Sequence, residues 1–408
     1  MGRGSNLGKV GDFNQAVVLD AIRRSQDGIS RTELVQTSGL STQTVSNIVR
    51  RLLKQGIVSE GEKTVTGIGK PRTPLVVVPN SRFAIGVHLD PSVITVVALD
   101  LTGSVAFRSR EQTGLGVDAA TMVARIAEII EQWVASVRIP PERLLGIGIA
   151  VPGPIDEAMG TIVSPPLLQG WDAIRVREAL RDAVGLPVLM EKDVIAAAHG
   201  EQWSRDNDDE NFAFIYLGTG IGAGLVVDGQ VLRGASNNVG GIGHFATGST
   251  TPLCSCGRSG CVGAATQPAN LVAWAIERGV LPPLINGADS GEVIEAFVEL
   301  GRLADKGDPG ARDIVDTSAR QLAVAVENVA SLIDVDTVIL GGPMWHPVSR
   351  RYLGILGPEL AARYEVRAIH GIDVTSSVLG EDIAAIGAGC AILDHMLAPK
   401  QTGLLLQD

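Results

Sequence analysis

The chain has 408 residues, of which 45% are hydrophobic and 19% charged; this composition excludes intrinsic disorder, and the length asks for two or three domains. No run of about 18 or more uncharged apolar residues occurs, which argues against a membrane-spanning helix, and the opening MGRGSNLGKVGDFNQ has no apolar signal core, so the expected location is the cytoplasm. The net charge of −11 conceals an asymmetry: residues 1–79 hold 11 Lys and Arg against 6 Asp and Glu, and the remainder holds 23 against 39. A basic head on an acidic body fits a nucleic-acid-binding module joined to one that does not bind nucleic acid.

The apolar spacing of Ala16, Val17, Leu19 and Ile22 predicts a helix over Asn14 to Arg24. Ser30 followed three residues later by Glu33 is a capping box, opening a short helix from Arg31 to Thr37 that stops at Gly39. Ser41 caps the next, Thr42 to Gln55, with Val45, Ile48, Val49 and Leu52 facing inward. Two capped helices joined by a glycine turn form a helix-turn-helix. Ile57–Glu60 and Leu75–Val78, flanking GEKTVTGIGKPRT, are the strands of a wing. The outer face of the second capped helix offers Thr42, Gln43, Thr44, Ser46, Asn47 and Arg50 to base edges in a major groove, with Ser41 at its start. Arg31, Arg51, Lys54, Lys70 and Arg72 are the expected phosphate contacts, Lys70-Pro71-Arg72 being suited to a minor groove. The partner implied is double-stranded operator DNA; a solvated helix in a protein-binding bundle is the alternative.

In the body, Phe83–Leu89 and Ile94–Asp100 read as a strand pair, followed by a helix over Asp118 to Val137 and strand Leu144–Val151. A helix Trp171–Val184 and strand Pro187–Met190 complete this set. A second set begins at strand Phe212–Leu217, continues through a glycine loop Gly218–Gly224 into strand Leu225–Val227, and closes with helix Ala311–Ile333 and strand Thr337–Leu340. The repeat predicts a duplicated α/β body with a cleft between two lobes: lobe one about 80–196 plus 390–408, lobe two about 197–389, behind a head of 1–79. A last helix, Asp382–Leu397, is expected to cross back to lobe one, with Cys390 as a core residue. The amides around Gly220 could cradle a phosphate.

Three of the four cysteines fall in Cys254-Ser-Cys256-Gly-Arg-Ser-Gly-Cys261, ten residues after His244. One imidazole and three thiolates make a closed tetrahedral set for Zn2+, and a closed set is structural rather than catalytic. Buried free thiols with an unrelated histidine are the alternative.

The segments SRTELVQTSGLSTQTVS, VPGPID, GTGIGAGLVVDG and the His244-to-CSCGRSGC element together resemble the ROK family of repressors and sugar kinases, over nearly the whole chain. The resemblance implies an actin-like, two-lobed sugar-kinase fold, homodimers or homotetramers, and either sugar phosphorylation or sugar-controlled DNA binding. Asp193 falls at the family's catalytic aspartate. The family's Asp-x-Gly-Gly-Thr phosphate loop is replaced by His88-Leu89-Asp90-Pro91-Ser92-Val93, which lacks both glycines. Sugar-binding positions of the family carry Leu167, Lys192, Ile195, Gly241 and Gly263. Each unpaired sugar hydroxyl would cost about 1–3 kcal/mol. The expectation is a regulator without kinase activity, with Asp193 as a vestigial base. Its small-molecule effector, a sugar or phosphorylated sugar, would meet Lys192, Asp193, Gly220, Gly241 and His244. Gly241 and Gly263 are expected to open space, and Lys192 either meets an anion or pairs with Glu191 or Glu201. The alternative is a sugar kinase with an appended DNA-binding head.

Overall fold

The computed structural model describes residues 7–25, 27–62, 72–91, 93–112, 117–163, 171, 174–205, 211–248, 253–285, 290–363 and 369–397. Lys70 and most of the wing loop lie outside this set, as does Leu167.

In the head, α1 (Leu7–Arg24) starts earlier than its apolar stripe suggests. The capping box forms as read: Glu33 N donates to Ser30 Oγ at 3.3 Å, and Ser30 N donates to Glu33 Oε2 at 2.7 Å. It opens α2 (Arg31–Ser38), which ends at Gly39 with φ 67°, a left-handed conformation that favours glycine. Ser41 Oγ then accepts from Thr44 N at 3.2 Å and opens α3 (Thr42–Lys54), whose Val45, Ile48, Val49 and Leu52 are buried. The wing strands β1 (Val58–Glu60) and β2 (Leu75–Val77) pair antiparallel.

The body continues through β3 (Phe83–Leu89), β4 (Val93–Asp100), β5 (Val105–Gln112), α4 (Ala119–Val137), β6 (Leu144–Val151), the short β7 (Ile155–Asp156) and β8 (Thr161–Ile162), α5 (Val176–Val184), β9 (Val188–Lys192) and α6 (Asp193–Ser204). There follow β10 (Phe212–Leu217), β11 (Ile221–Val227), β12 (Gln230–Val231), α7 (Val262–Thr266), α8 (Pro268–Glu277), α9 (Ser290–Lys306), α10 (Pro309–Ile333), β13 (Thr337–Gly341), α11 (Ser349–Arg363), β14 (Asp373–Ser376) and α12 (Ile383–Leu397). The duplication is exact in topology. One sheet runs β5-β4-β3-β6-β9 and the other β12-β11-β10-β13-β14. In each, the first strand pairs antiparallel with the second, and parallel with a strand that arrives after a helix.

Three expectations need correction. The first strand pair is a three-stranded meander, because the alternating residues of β5 add an outer strand with one face in solvent. The helix expected from Trp171 begins only at Val176. The glycine loop is shorter than read, since β11 starts at Ile221. Gly222 and Gly224 are strand residues under α6, where a Cβ would stand 2.5 Å from a Val194 methyl and 2.3 Å from the Val194 carbonyl. These glycines serve packing, and only Gly218–Gly220 make the turn.

Between the sheets lie α6 and α12. A Cβ on Gly86 or Gly148 would meet the α12 carbonyls of Ala385 or Ala388 at 1.9 Å, so glycines let α12 rest directly on β3 and β6. Cys390 is fully buried there. The head is joined to this layer: Leu19, Ile22, Leu52 and Leu75 share one apolar cluster with Val97, Leu99, Ile386 and Leu393. The Arg23 guanidinium also lies 4.1 Å from the centre of the Trp203 ring.

Candidate nucleic-acid interface, ligand cleft and metal centre

On α3, Thr42, Gln43, Asn47 and Arg50 are exposed, and Thr44 and Ser46 are half-buried. Three of them form a polar network: Gln43 Nε2 donates to Asn47 Oδ1 at 3.2 Å, and Arg50 Nη1 donates to the same oxygen at 3.4 Å; separately, the Ser41 and Thr44 hydroxyls lie 2.9 Å apart. Such a network orders amide and guanidinium groups that pair bidentately with base edges. Arg51 and Lys54 are exposed at the far end of the same helix. Arg31 pairs with Glu60 at 2.9 Å, so it ties α2 to the wing while remaining half exposed. Arg72 is committed further than the sequence suggested. Its Nε meets Glu33 Oε2 at 3.1 Å and its Nη2 donates to the Gly28 carbonyl at 2.6 Å. The hydrogen bond from Ser30 N, with this guanidinium in support, holds the Glu33 carboxyl below its ordinary pKa.

The residues expected at the cleft come from β3, β9, α6 and the β10–β11 turn. Asp193 opens α6, and burial lifts its carboxyl to about 6 against the opposing pull of Lys192 and of Val194 N, which donates to it at 2.7 Å. Beside it Tyr216 Oη and His88 Nε2 are 3.3 Å apart, and Thr219 Oγ1 donates to Asp90 Oδ2 at 3.4 Å. In the turn that replaces the family's first phosphate loop, Asp90 N donates to the Val93 carbonyl and Val93 N to the Asp90 carbonyl, at 3.0 and 3.3 Å. Those amides are spent closing the hairpin, and Pro91 has none to give.

The sequence reading of Lys192 is also corrected. Its Nζ meets the carbonyls of Asn238 and Val239 at 3.5 and 3.0 Å, not Glu191 or Glu201. Glu191 pairs with Arg233 at 2.5 Å, and Glu201 accepts from Arg205 at 3.1 Å and from the Ser377 hydroxyl at 2.7 Å. Gly220 and Gly241 face open space. Gly263 does not: a Cβ there would stand 2.8 Å from the Gly243 carbonyl, so this glycine allows the chain to pass the His244 loop and adds no room for a ligand. Sequence reading missed Asn238, Arg233 and His199, because their partners lie far along the chain.

The ligand atoms of His244, Cys254, Cys256 and Cys261 all lie within 4.8 Å of one another. His244 presents Nδ1 at 3.5 Å from Cys254 Sγ, and Cys256 and Cys261 sulfurs are 3.7 Å apart. A tetrahedral ion with bonds of about 2.0–2.3 Å asks for edges of roughly 3.5–3.8 Å, which these separations meet. Gly257 and Gly260, at φ 84° and 72°, make the sharp turns that bring the sulfurs together. The donor set could hold a metal ion.

A ROK family model matches residues 85–394, and a MarR family model matches residues 12–63. The chain belongs to the ROK family. The xylose repressor of Bacillus subtilis (strain 168) is 25% identical over 94% of this chain and 96% of its own length. The DNA-binding transcriptional dual regulator NagC of Escherichia coli (strain K12) is 26% identical over 98% and 96%. Among solved structures, a ROK family transcriptional regulator described as a homologue of the E. coli MLC protein superposes with a TM-score of 0.77, at 22% identity, over 96% of this chain and 98% of its own. The ROK hexokinase of Thermus thermophilus, at 26% identity and a TM-score of 0.60, covers 76% of this chain and 97% of itself. These regulators match head and body together, whereas the kinase matches the length of the body alone. The chain has the architecture of the family's transcriptional regulators. Among the described residues, no helix is long and apolar enough to cross a membrane.

Proposed function

We propose that the protein is a ligand-controlled repressor that binds operator DNA through α3 and has no kinase activity. The observation that carries this reading is the α3 surface. Its first turns expose an ordered Gln43–Asn47–Arg50 network, and the opposite face is sealed into the head's core. Gln43, Asn47 and Arg50 read bases, Ser41, Thr42, Thr44 and Ser46 line the approach, and Arg31, Arg51, Lys54, Lys70 and Arg72 meet phosphates. Arg72 does so as part of its ion pair with Glu33. In this reading residues 1–79 form the DNA-binding head and residues 80–408 a two-lobed sensor body.

The ion held by His244, Cys254, Cys256 and Cys261 is Zn2+ in a structural role, since three thiolates and one imidazole leave no open coordination position. The effector is a sugar or phosphorylated sugar bound near Lys192, Asp193, Gly220, Gly241 and His244. Named relatives put xylose in the panel to be tried. Its binding changes the angle between the lobes and, through a homodimer or homotetramer, the spacing of two recognition helices. Half-sites one or two helical turns apart tolerate little change in that spacing.

A gel shift with DNA from the gene's own neighbourhood tests this. A sequence-selective complex at moderate salt, released or strengthened by one sugar of the panel, is the expected result. Only non-selective binding that vanishes with salt would overturn it. The kinase reading has one observation in its favour, the half-buried Asp193 carboxyl opening α6 beside Tyr216 and Asp90; ADP release with a sugar, ATP and Mg2+, abolished by Asp193→Ala, would establish it.

A further inference from the structure

One segment of lobe two crosses to lobe one beside the cleft. It follows β12, running from Arg233 to Val239, and it makes four separate ties. Asn238 presents its carboxamide to Ile155 as a strand edge would: Ile155 N donates to Asn238 Oδ1 at 2.7 Å, and Asn238 Nδ2 donates to the Ile155 carbonyl at 2.8 Å. Asn237, in a left-handed conformation with φ 57°, donates through Nδ2 to Glu157 Oε2. Arg233 reaches Glu191 at 2.5 Å. Lys192, last residue of β9, caps the carbonyls of Asn238 and Val239 at 3.5 and 3.0 Å. Ile155 itself is anchored in the core of lobe one, and Val239 packs against the cluster between the sheets.

We infer that Arg233–Val239 is an interlobe latch, held shut by Asn238 and Lys192, which sets the position of the cleft before any ligand enters. This rests on the reading of the cleft as a ligand site. Two physical points support it. The ties join elements 83 residues apart in sequence through two good hydrogen bonds from one side chain, so the contact is specific and not the result of chain proximity. Lys192 is half-buried and burial lowers its pKa, so withdrawing it from the two carbonyls leaves polar groups that must find new partners. The segment continues directly into Gly240, whose carbonyl accepts from Ala223 N at 2.9 Å, and into the open Gly241. Asn238 is therefore a positioning residue for the cleft wall. A ligand either fits beneath the closed latch or displaces Lys192 with acceptors of its own, such as carboxylate or phosphate oxygens.

Residue-resolved hydrogen exchange on the full, ligand-free chain tests the latch independently of DNA or effector binding. Asn238→Ala removes the acceptor of the Ile155 amide, and exchange there is expected to quicken at least tenfold while Ile149, inside β6, keeps its protection. Asn238→Asp keeps the acceptor and is expected to restore most of the Ile155 protection. Unchanged exchange at Ile155 in Asn238→Ala, with Ile149 intact, overturns the inference. Should Asn238→Ala lose protection at Ile149 as well, Lys192→Met decides: faster exchange at Ile155 with Ile149 intact supports the latch, and no change at Ile155 overturns it.

Discussion

His199 Nε2 and Asp394 Oδ2 lie 2.6 Å apart in the buried layer between the two sheets, joining α6 to α12. On its other side the His199 ring faces Glu191, with Nδ1 3.9 Å from Glu191 Oε2. The chain of contacts therefore runs from Arg233 beside the cleft, through Glu191 and His199, to the helix against which the head is packed. Burial alone would depress the histidine, yet Asp394 and Glu191 outweigh it and bring His199 up to about 9. Burial likewise pushes Glu191 up, while Arg233 and His199 hold it down to about 2.

The His199 shift predicts a pH dependence. A folded value near 9 against 6.5 for an unperturbed histidine means the stabilisation is complete below about pH 6.5 and is lost as pH rises through about 9. The thermal midpoint should fall between pH 7 and pH 9.5. His199→Ala should cost about 3 kcal/mol at neutral pH, since the buried Glu191 and the half-buried Asp394 lose their partner, and should flatten that slope. Melts followed by circular dichroism across this range check both.

At the His244–Cys261 cluster, Cys261→Ser removes one of the two buried candidate donors. Metal content measured by atomic emission should drop from one ion per chain to a small fraction of that. A loss of only 2 kcal/mol would already lower the melting midpoint by about 4–8 °C in a domain of this size. Chelation of the wild-type chain should lower it likewise, and zinc should restore it.

For DNA binding, Gln43→Ala and Asn47→Ala should each weaken binding to the cognate site by about 1–3 kcal/mol and relax discrimination at one or two base positions. Lys54→Ala, at a proposed phosphate contact, should weaken cognate and random DNA alike and reduce the salt slope by about one. Equal losses on both DNAs for Gln43→Ala would contradict its role as a base reader.

In the head itself, Ser30→Ala breaks the capping box and should cost about 1 kcal/mol. Glu33, with its folded pKa lowered, contributes stability above the unfolded carboxylate range that is lost as pH falls through the folded value. The wild-type head should therefore loosen in acid, and Glu33→Gln should remove part of that response. Hydrogen exchange in α2 between pH 3 and pH 6 reads it.

Much of this protein was written in local chemistry. The Ser30–Glu33 box, the Ser41 cap and the four metal donors within 18 residues were legible in the sequence, because each depends on residues a few positions apart whose spacing dictates geometry. The duplicated sheets followed from runs of β-branched residues, although β5, with its alternating polar face, did not stand out. What only the tertiary structure decided was the fate of charged and amide side chains whose partners are distant. Lys192, expected to meet an anion or pair with Glu191 or Glu201, meets two carbonyls. Arg72, expected at a DNA phosphate, also holds the capping glutamate. Asn238 meets Ile155 across 83 residues, and His199 meets Asp394 across 195. A long polar side chain can satisfy its hydrogen bonds in many ways, and the choice falls to whichever surface packing of the apolar cores brings within about 3 Å.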